Sequence, residues 1–217
     1  MKCFKIFGMT GMLVGVCLAS QATILPPSGV GIDGPQAPGT DILATLVTPF
    51  SFAALSGTIT SWVVRDPANP LGGLSFYYQV TDTGAADAEG ISRVSTSDFG
   101  IIPGSPVDVA TVTAPFDSSV TGGILPTTAT RSSGPGSVVG FLFIGAQEIL
   151  PGENSVVMVV NTAYQNFQIS AGSVIDSSSV NVAILGPVPE PSTAIAGCLL
   201  LLPFGASALR IVRRRQA

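Results

Sequence analysis

From Asp41 to Leu185, almost no stretch of this chain repeats apolar residues at helical spacing among good helix formers. Ser, Thr, Val and Gly dominate instead, in short runs separated by turn residues. Such runs read as strands, because β-branched side chains suit a pleated, half-buried surface. Ile42–Phe52 is the first, bent or broken at Pro49. Gly57–Arg65 is the second, ended by Asp66-Pro67 and Asn69-Pro70. Leu74–Thr81 alternates, with Phe76, Tyr78 and Val80 on one face and Tyr77, Gln79 and Thr81 on the other. Ile91–Ser97 and Val107–Thr113 alternate with polar partners, which predicts one wet side. Val138–Ile144 and Ser155–Val160 are continuous apolar runs and predict central strands covered on both faces. Asn166–Ser170, with Phe167 and Ile169 inward, Val174–Asp176 and Val180–Leu185 complete the set. No helical crossovers are available, so the pairing is expected to be antiparallel. The expectation is an all-β fold: an antiparallel β-sandwich of about nine or ten strands over residues 41–186.

Two apolar segments bracket this region. At the front, Lys2 and Lys5 precede the apolar run Ile6–Ala19, and Ser20 and Ala22 supply small residues before a cut at Thr23. This is the pattern of a signal peptide over residues 1–22, an apolar signal helix. A first transmembrane helix fits less well, since the run is short and carries Gly8, Gly11 and Gly15. Lipidation at Cys17 also fits less well, because Val16 stands where a small residue is needed. Thr23–Thr40 is dense in Pro and Gly and reads as an extended lead-in, poorly ordered at least in part.

At the back, Ser192–Val212 provides 21 mostly apolar residues, enough for a transmembrane helix across roughly 30 Å of hydrocarbon. Arg210 lies close enough to its end for the side chain to reach the headgroups, and Pro203 predicts a kink. Ser192 and Thr193 stand at the N-cap. Arg213, Arg214 and Arg215 form a basic anchor that stays cytoplasmic by the positive-inside rule, which puts everything before Ser192 outside.

The order of parts in this tail is specific. Val188-Pro189-Glu190-Pro191-Ser192-Thr193, then a short apolar helix, then a terminal arginine cluster, resembles the PEP-CTERM sorting signal of bacterial exported proteins. The resemblance covers only about the last 30 residues, 187–217. It implies that an exosortase-type membrane protease processes the tail, with Pro189, Glu190 and Pro191 as recognition residues. It also implies a precursor held in inner-membrane lipid and a mature form at the cell surface or outside the cell, associated with exopolysaccharide and biofilm. The prolines keep this stretch extended, the form a protease cleft accepts. A plain C-terminal anchor is the simpler alternative.

Composition limits what the region between the two ends can do. Its three basic residues, Arg65, Arg93 and Arg131, face twelve acids, a net charge of −9. Nucleic-acid binding is therefore disfavoured, since phosphate contacts require Lys and Arg. The cysteines, Cys3, Cys17 and Cys198, all lie in the terminal segments, so no disulfide staples the domain. The chain has no histidine, and the domain has no lysine or cysteine. Ser-His-Asp triads, histidine metal sites, thiol nucleophiles and Schiff bases are excluded. The expectation is a non-enzymatic protein without a cofactor.

Two features leave binding open. The loop 82–90 carries Asp82, Asp87 and Glu89 beside glycines, suitable chemistry for calcium but without the ordered spacing of an EF-hand. With Asp98 the same acids are the only candidates for a glycosidase-like carboxylate pair, and a solvated polar turn explains them equally well. Trp62, Tyr77 and Tyr78 are candidates for a sugar-stacking platform, against core packing as the plainer use. Tyr77 is the least committed of them, since its face-mates Gln79 and Thr81 are polar. A carbohydrate- or calcium-binding module is thus the alternative to a structural envelope or matrix protein. The tracts Gly122-Gly123 and Ser132–Gly136 read as loops, with Arg131 beside one of them as a solvated charge.

Overall fold

The computed structural model describes residues 24–53, 55–85, 90–100, 105–112 and 122–188. The expected signal peptide, the sorting motif from Pro189 to Thr193, the apolar segment 192–212 and Arg213, Arg214 and Arg215 lie outside the described residues, as do Asp87 and Glu89. Ten strands follow in chain order: β1 (Asp41–Phe52), β2 (Leu55–Arg65), β3 (Ser75–Asp82), β4 (Arg93–Thr96), β5 (Val107–Val112), β6 (Thr128–Arg131), β7 (Val139–Leu142), β8 (Val157–Thr162), β9 (Phe167–Ile175) and β10 (Ser179–Pro187). Among the described residues the helical content is one 3-10 turn, Gly145–Gln147, and no helix is long and apolar enough to cross a membrane.

The strands form two five-stranded antiparallel sheets, in the orders β1-β2-β3-β8-β5 and β10-β9-β4-β7-β6. Period-two alternation sends one set of side chains from each sheet into a shared core. Ile59, Val63, Phe76, Tyr78, Met158 and Val160 of the first sheet meet Val94, Phe141, Val174, Val182 and Ile184 of the second. Phe76 and Phe99 pack edge to face with ring centroids 5.8 Å apart. Each such side chain contributes about 1.5–3 kcal/mol on burial, and the domain has no cross-link to add to this. The Tyr78 hydroxyl satisfies itself inside the core by donating to the Leu185 carbonyl at 2.7 Å. Burial, and then the nearby Asp98 charge, push its pKa well above the usual tyrosine value.

The all-β architecture and the antiparallel pairing follow the expectation, and the differences lie in detail. β6 falls where no strand was expected: Thr128–Arg131 is short and polar but pairs with β7 from Thr128/Leu142 to Arg131/Val139. β9 is continuous where two strands were expected, because Ala171-Gly172-Ser173 pairs with β10 and β4 without interruption. Its register also reverses the expected facing. Ser170, Gly172 and Val174 are its buried positions, whereas Phe167 and Ile169 are 36% and 68% exposed. Pro49 does not break β1, which is an edge strand and can lack one ladder N–H. The irregularity in β1 falls instead between Ile42 and Ala44.

The expected wet side of β5 is not wet: all six of its residues are buried. The lead-in explains part of this, and its described residues, 24–40, are ordered against the sandwich. Leu25 N donates to Val107 O, Asp33 N to Val109 O and Gln36 N to Thr111 O, at 2.7–2.9 Å along the free edge of β5. Between these bonds the same segment crosses to the other sheet, where Gly31 N donates to Ala129 O and Arg131 N to Gly29 O. β5 and β6 are the open edges on one side of the sandwich, and the lead-in laces them together. Unpaired strand edges invite aggregation, and this seam removes two of them. On the opposite side β1 and β10 meet, with Thr48 Oγ1 donating to the Ala183 carbonyl at 2.7 Å.

Candidate functional site

The seam creates a cavity. Where residues 33–37 pass over the end of β5, a space of about 320 Å³ opens between them, Ala68 and Pro70 of the β2–β3 loop, and Asp108 and Ala110 of β5. Its polar side chains are Asp33, Gln36 and Asp108, and neither Lys nor Arg lines it.

A hydrogen-bonded network forms one wall. Ser75 Oγ donates to Asn161 Oδ1 at 2.6 Å, and Asn161 Nδ2 donates to Asp108 Oδ2 at 2.7 Å and to Gln36 Oε1 at 2.8 Å. Gln36 Nε2 then donates to Asp66 Oδ2 at 2.7 Å. Asp66 also accepts from the Tyr77 hydroxyl and from the Ala68 N–H. Tyr77 in turn accepts the Gly39 N–H at 3.1 Å. The sheet sets this up through register, since Ser75, Asn161 and Asp108 pair directly across β3, β8 and β5 and share a face. Residues of the lead-in, three strands and a loop are thereby held in one network.

Asp108 is 3% exposed. Its Oδ1 has no hydrogen-bond donor among the described residues, and the group within reach is a second acid, the half-buried Asp33. Burial raises the Asp108 carboxyl to about 6; Asn161 opposes the shift, and Asp33 adds to it by sharing a proton and by its charge.

The residues singled out in the sequence fare differently. Tyr77 is fully buried, with its hydroxyl engaged by Gly39 and Asp66, so the expectation of a sugar-stacking ring at Tyr77 is corrected. Burial, followed by the bond to Asp66, raises its pKa. Trp62 is likewise buried, in a second apolar cluster with Tyr77, Val157 and Val159 on the outer face of the first sheet. Asp82 is 1% exposed at the end of β3, with Oδ1 accepting the Gly84 N–H at 2.7 Å and its pKa raised, first by burial. Its expected calcium partners Asp87 and Glu89 lie outside the described residues. Val188, the first residue of the sorting motif, donates its N–H to the Asn166 carbonyl at 3.1 Å.

Arg131 is a correction. It is 3% exposed rather than solvated, and its guanidinium donates to the carbonyls of Gly136 at 2.8 Å, Leu25 at 2.9 Å and Phe99 at 3.1 Å. Burial lowers its pKa from the usual arginine value.

No family model, curated protein or solved structure matches the chain.

Sequence reasoning passed over Asp33, Gln36, Asp66, Asp108 and Asn161. Asp108 falls on the side of Val107–Thr113 that alternation marks as wet, so it reads as a surface charge. A carboxylate buried there needs partners, and only the tertiary fold reveals that they come from the lead-in and β8.

Proposed function

We propose that the protein is exported, held in the inner membrane as a precursor by residues 192–212, and processed by an exosortase-type protease. The sandwich delivered in this way is a non-enzymatic structural component of the envelope or extracellular matrix, in contact with exopolysaccharide. The observation that supports the reading is where the last described strand ends. β10 ends at Pro187, and Val188, the last of the described residues, donates its N–H to Asn166. The residues that resemble a protease recognition motif, Pro189-Glu190-Pro191, begin at the next position. Among the described residues the main core cluster runs from Leu25 to Leu185. Cleavage in or after the motif leaves all ten strands intact, as a sorting tail requires.

The test is deletion of Pro189 to Pro191 in a host that carries the protease. Unprocessed full-length protein should collect in the inner membrane. Normal processing of the deletion variant would contradict the proposal. Retention of the purified protein on a polysaccharide array separates a dedicated carbohydrate-binding module from a structural role, which predicts no selective spot.

A further inference from the structure

We propose that the cavity between the lead-in and β5 is a calcium site, with Asp108 and Asp33 as its carboxylate ligands. This stands on the geometry of the cavity and does not depend on how the protein is exported.

Three observations converge. Asp108 is almost wholly buried, lines the cavity, and presents an oxygen with no donor among the described residues. The group within reach of Asp108 is the Asp33 carboxyl, an acceptor like itself. Two ionised carboxylates that face each other repel unless a proton or a cation lies between them. The charged and titratable groups around the pair are Asp33 from the lead-in, Asp66 from the β2–β3 loop and Tyr77 from β3, while β8 contributes the neutral Asn161. None is a cation, so no counter-charge is supplied among the described residues.

The donor set selects the ion. Every polar side chain that lines the cavity offers oxygen, and the chain has no histidine. All-oxygen sites with irregular geometry and room for water suit calcium, which accepts six to eight oxygen ligands. Gln36 lines the same space, and its Oε1 has a lone pair beyond the one used by Asn161. Among the described residues no three acidic side chains converge, so the site holds two carboxylates. That sets a weak affinity, on the order of 10⁻⁴ to 10⁻³ M, the class of extracellular calcium modules. Below about pH 6 calcium displaces the proton held by the pair and releases it to solvent; above that it binds the ionised pair with no proton release.

The test is calorimetric titration of the full-length protein in detergent with calcium chloride, to about 10 mM so that a site of this class saturates. One saturable site is expected at pH 7.5, with apparent affinity about tenfold weaker at pH 5, where the pair keeps its proton. Asp108→Asn and Asp33→Asn should each weaken binding at least tenfold, while Asp41→Asn and Asp82→Asn leave it unchanged. If Asp108→Asn does not melt cooperatively, Asp33→Asn, on the half-buried wall, decides the question. The proposal is overturned if the unmodified protein takes up no calcium, if Asp33→Asn and Asp108→Asn bind as it does, or if binding is lost in Asp82→Asn instead.

Discussion

Arg131 Nη1 lies 2.9 Å from the carbonyl oxygen of Leu25, a residue 106 positions earlier in the chain. Through this contact a buried cation at the end of β6 holds the lead-in near Leu25. The two further bonds of the same guanidinium, to Phe99 and Gly136, bring the turn after β4 and the β6–β7 loop to the same point. The acceptors are three backbone carbonyls that face away from water.

Replacing Arg131 with Met should cost about 3 kcal/mol or more, because it leaves buried carbonyls unpaired. Urea denaturation reads this loss. Limited proteolysis should then cut first within residues 24–40, where the seam loosens. Arg131→Lys keeps the charge but not the planar fork, and should recover less than half of the loss.

Gly136→Ala tests the same point from the other side. Gly136 has φ +68, and a Cβ there would lie 2.6 Å from Arg131 Nε. The left-handed backbone and the clash together should cost about 1–3 kcal/mol. In an Arg131→Met background the clash disappears, so the two costs should add to less than their sum in a double-mutant cycle.

Tyr77→Phe removes the hydroxyl that joins Gly39 to Asp66 and leaves the buried ring in place. It should destabilise the protein by about 1–2 kcal/mol in the same denaturation assay. Retention on polysaccharide should be unchanged, since the ring is not at the surface.

Asp108 makes stability fall with rising pH in the absence of calcium. Its folded pKa, about 6, lies above the ordinary 3.8, so the folded state holds the proton more tightly. The contribution is fully present below about pH 4 and is lost as pH rises through 6. Asp108→Asn does not titrate and should lack this loss. Denaturant midpoints of the two proteins, compared from pH 4 to pH 7, should move in favour of Asn by the top of the range. Parallel profiles would contradict the assignment.

Much of the sandwich was legible because its strands carry their own signal. Phe76, Tyr78 and Val80 alternate, turn residues separate the runs, and no helix competes. What was hidden depends on who covers whom. Phe167 and Ile169 look like core side chains, yet pairing of β9 with β10 and β4 turns Ser170, Gly172 and Val174 inward. Composition cannot fix that register when both faces are small or apolar. The lead-in misleads for a related reason. Pro and Gly do mark extended chain, but whether an extended chain is ordered depends on the edges it finds, here β5 and β6. Asp33, Asp108 and Arg131 look like ordinary surface charges until that seam closes over them.

The central claim is that a sandwich without cross-links is delivered by two removable ends. Intact mass of the protein taken from the cell envelope and from the medium tests it most directly. The account predicts a mature chain that begins at or near Thr23 and ends within or shortly after residues 188–193. Full-length protein with both ends present in both fractions would contradict it.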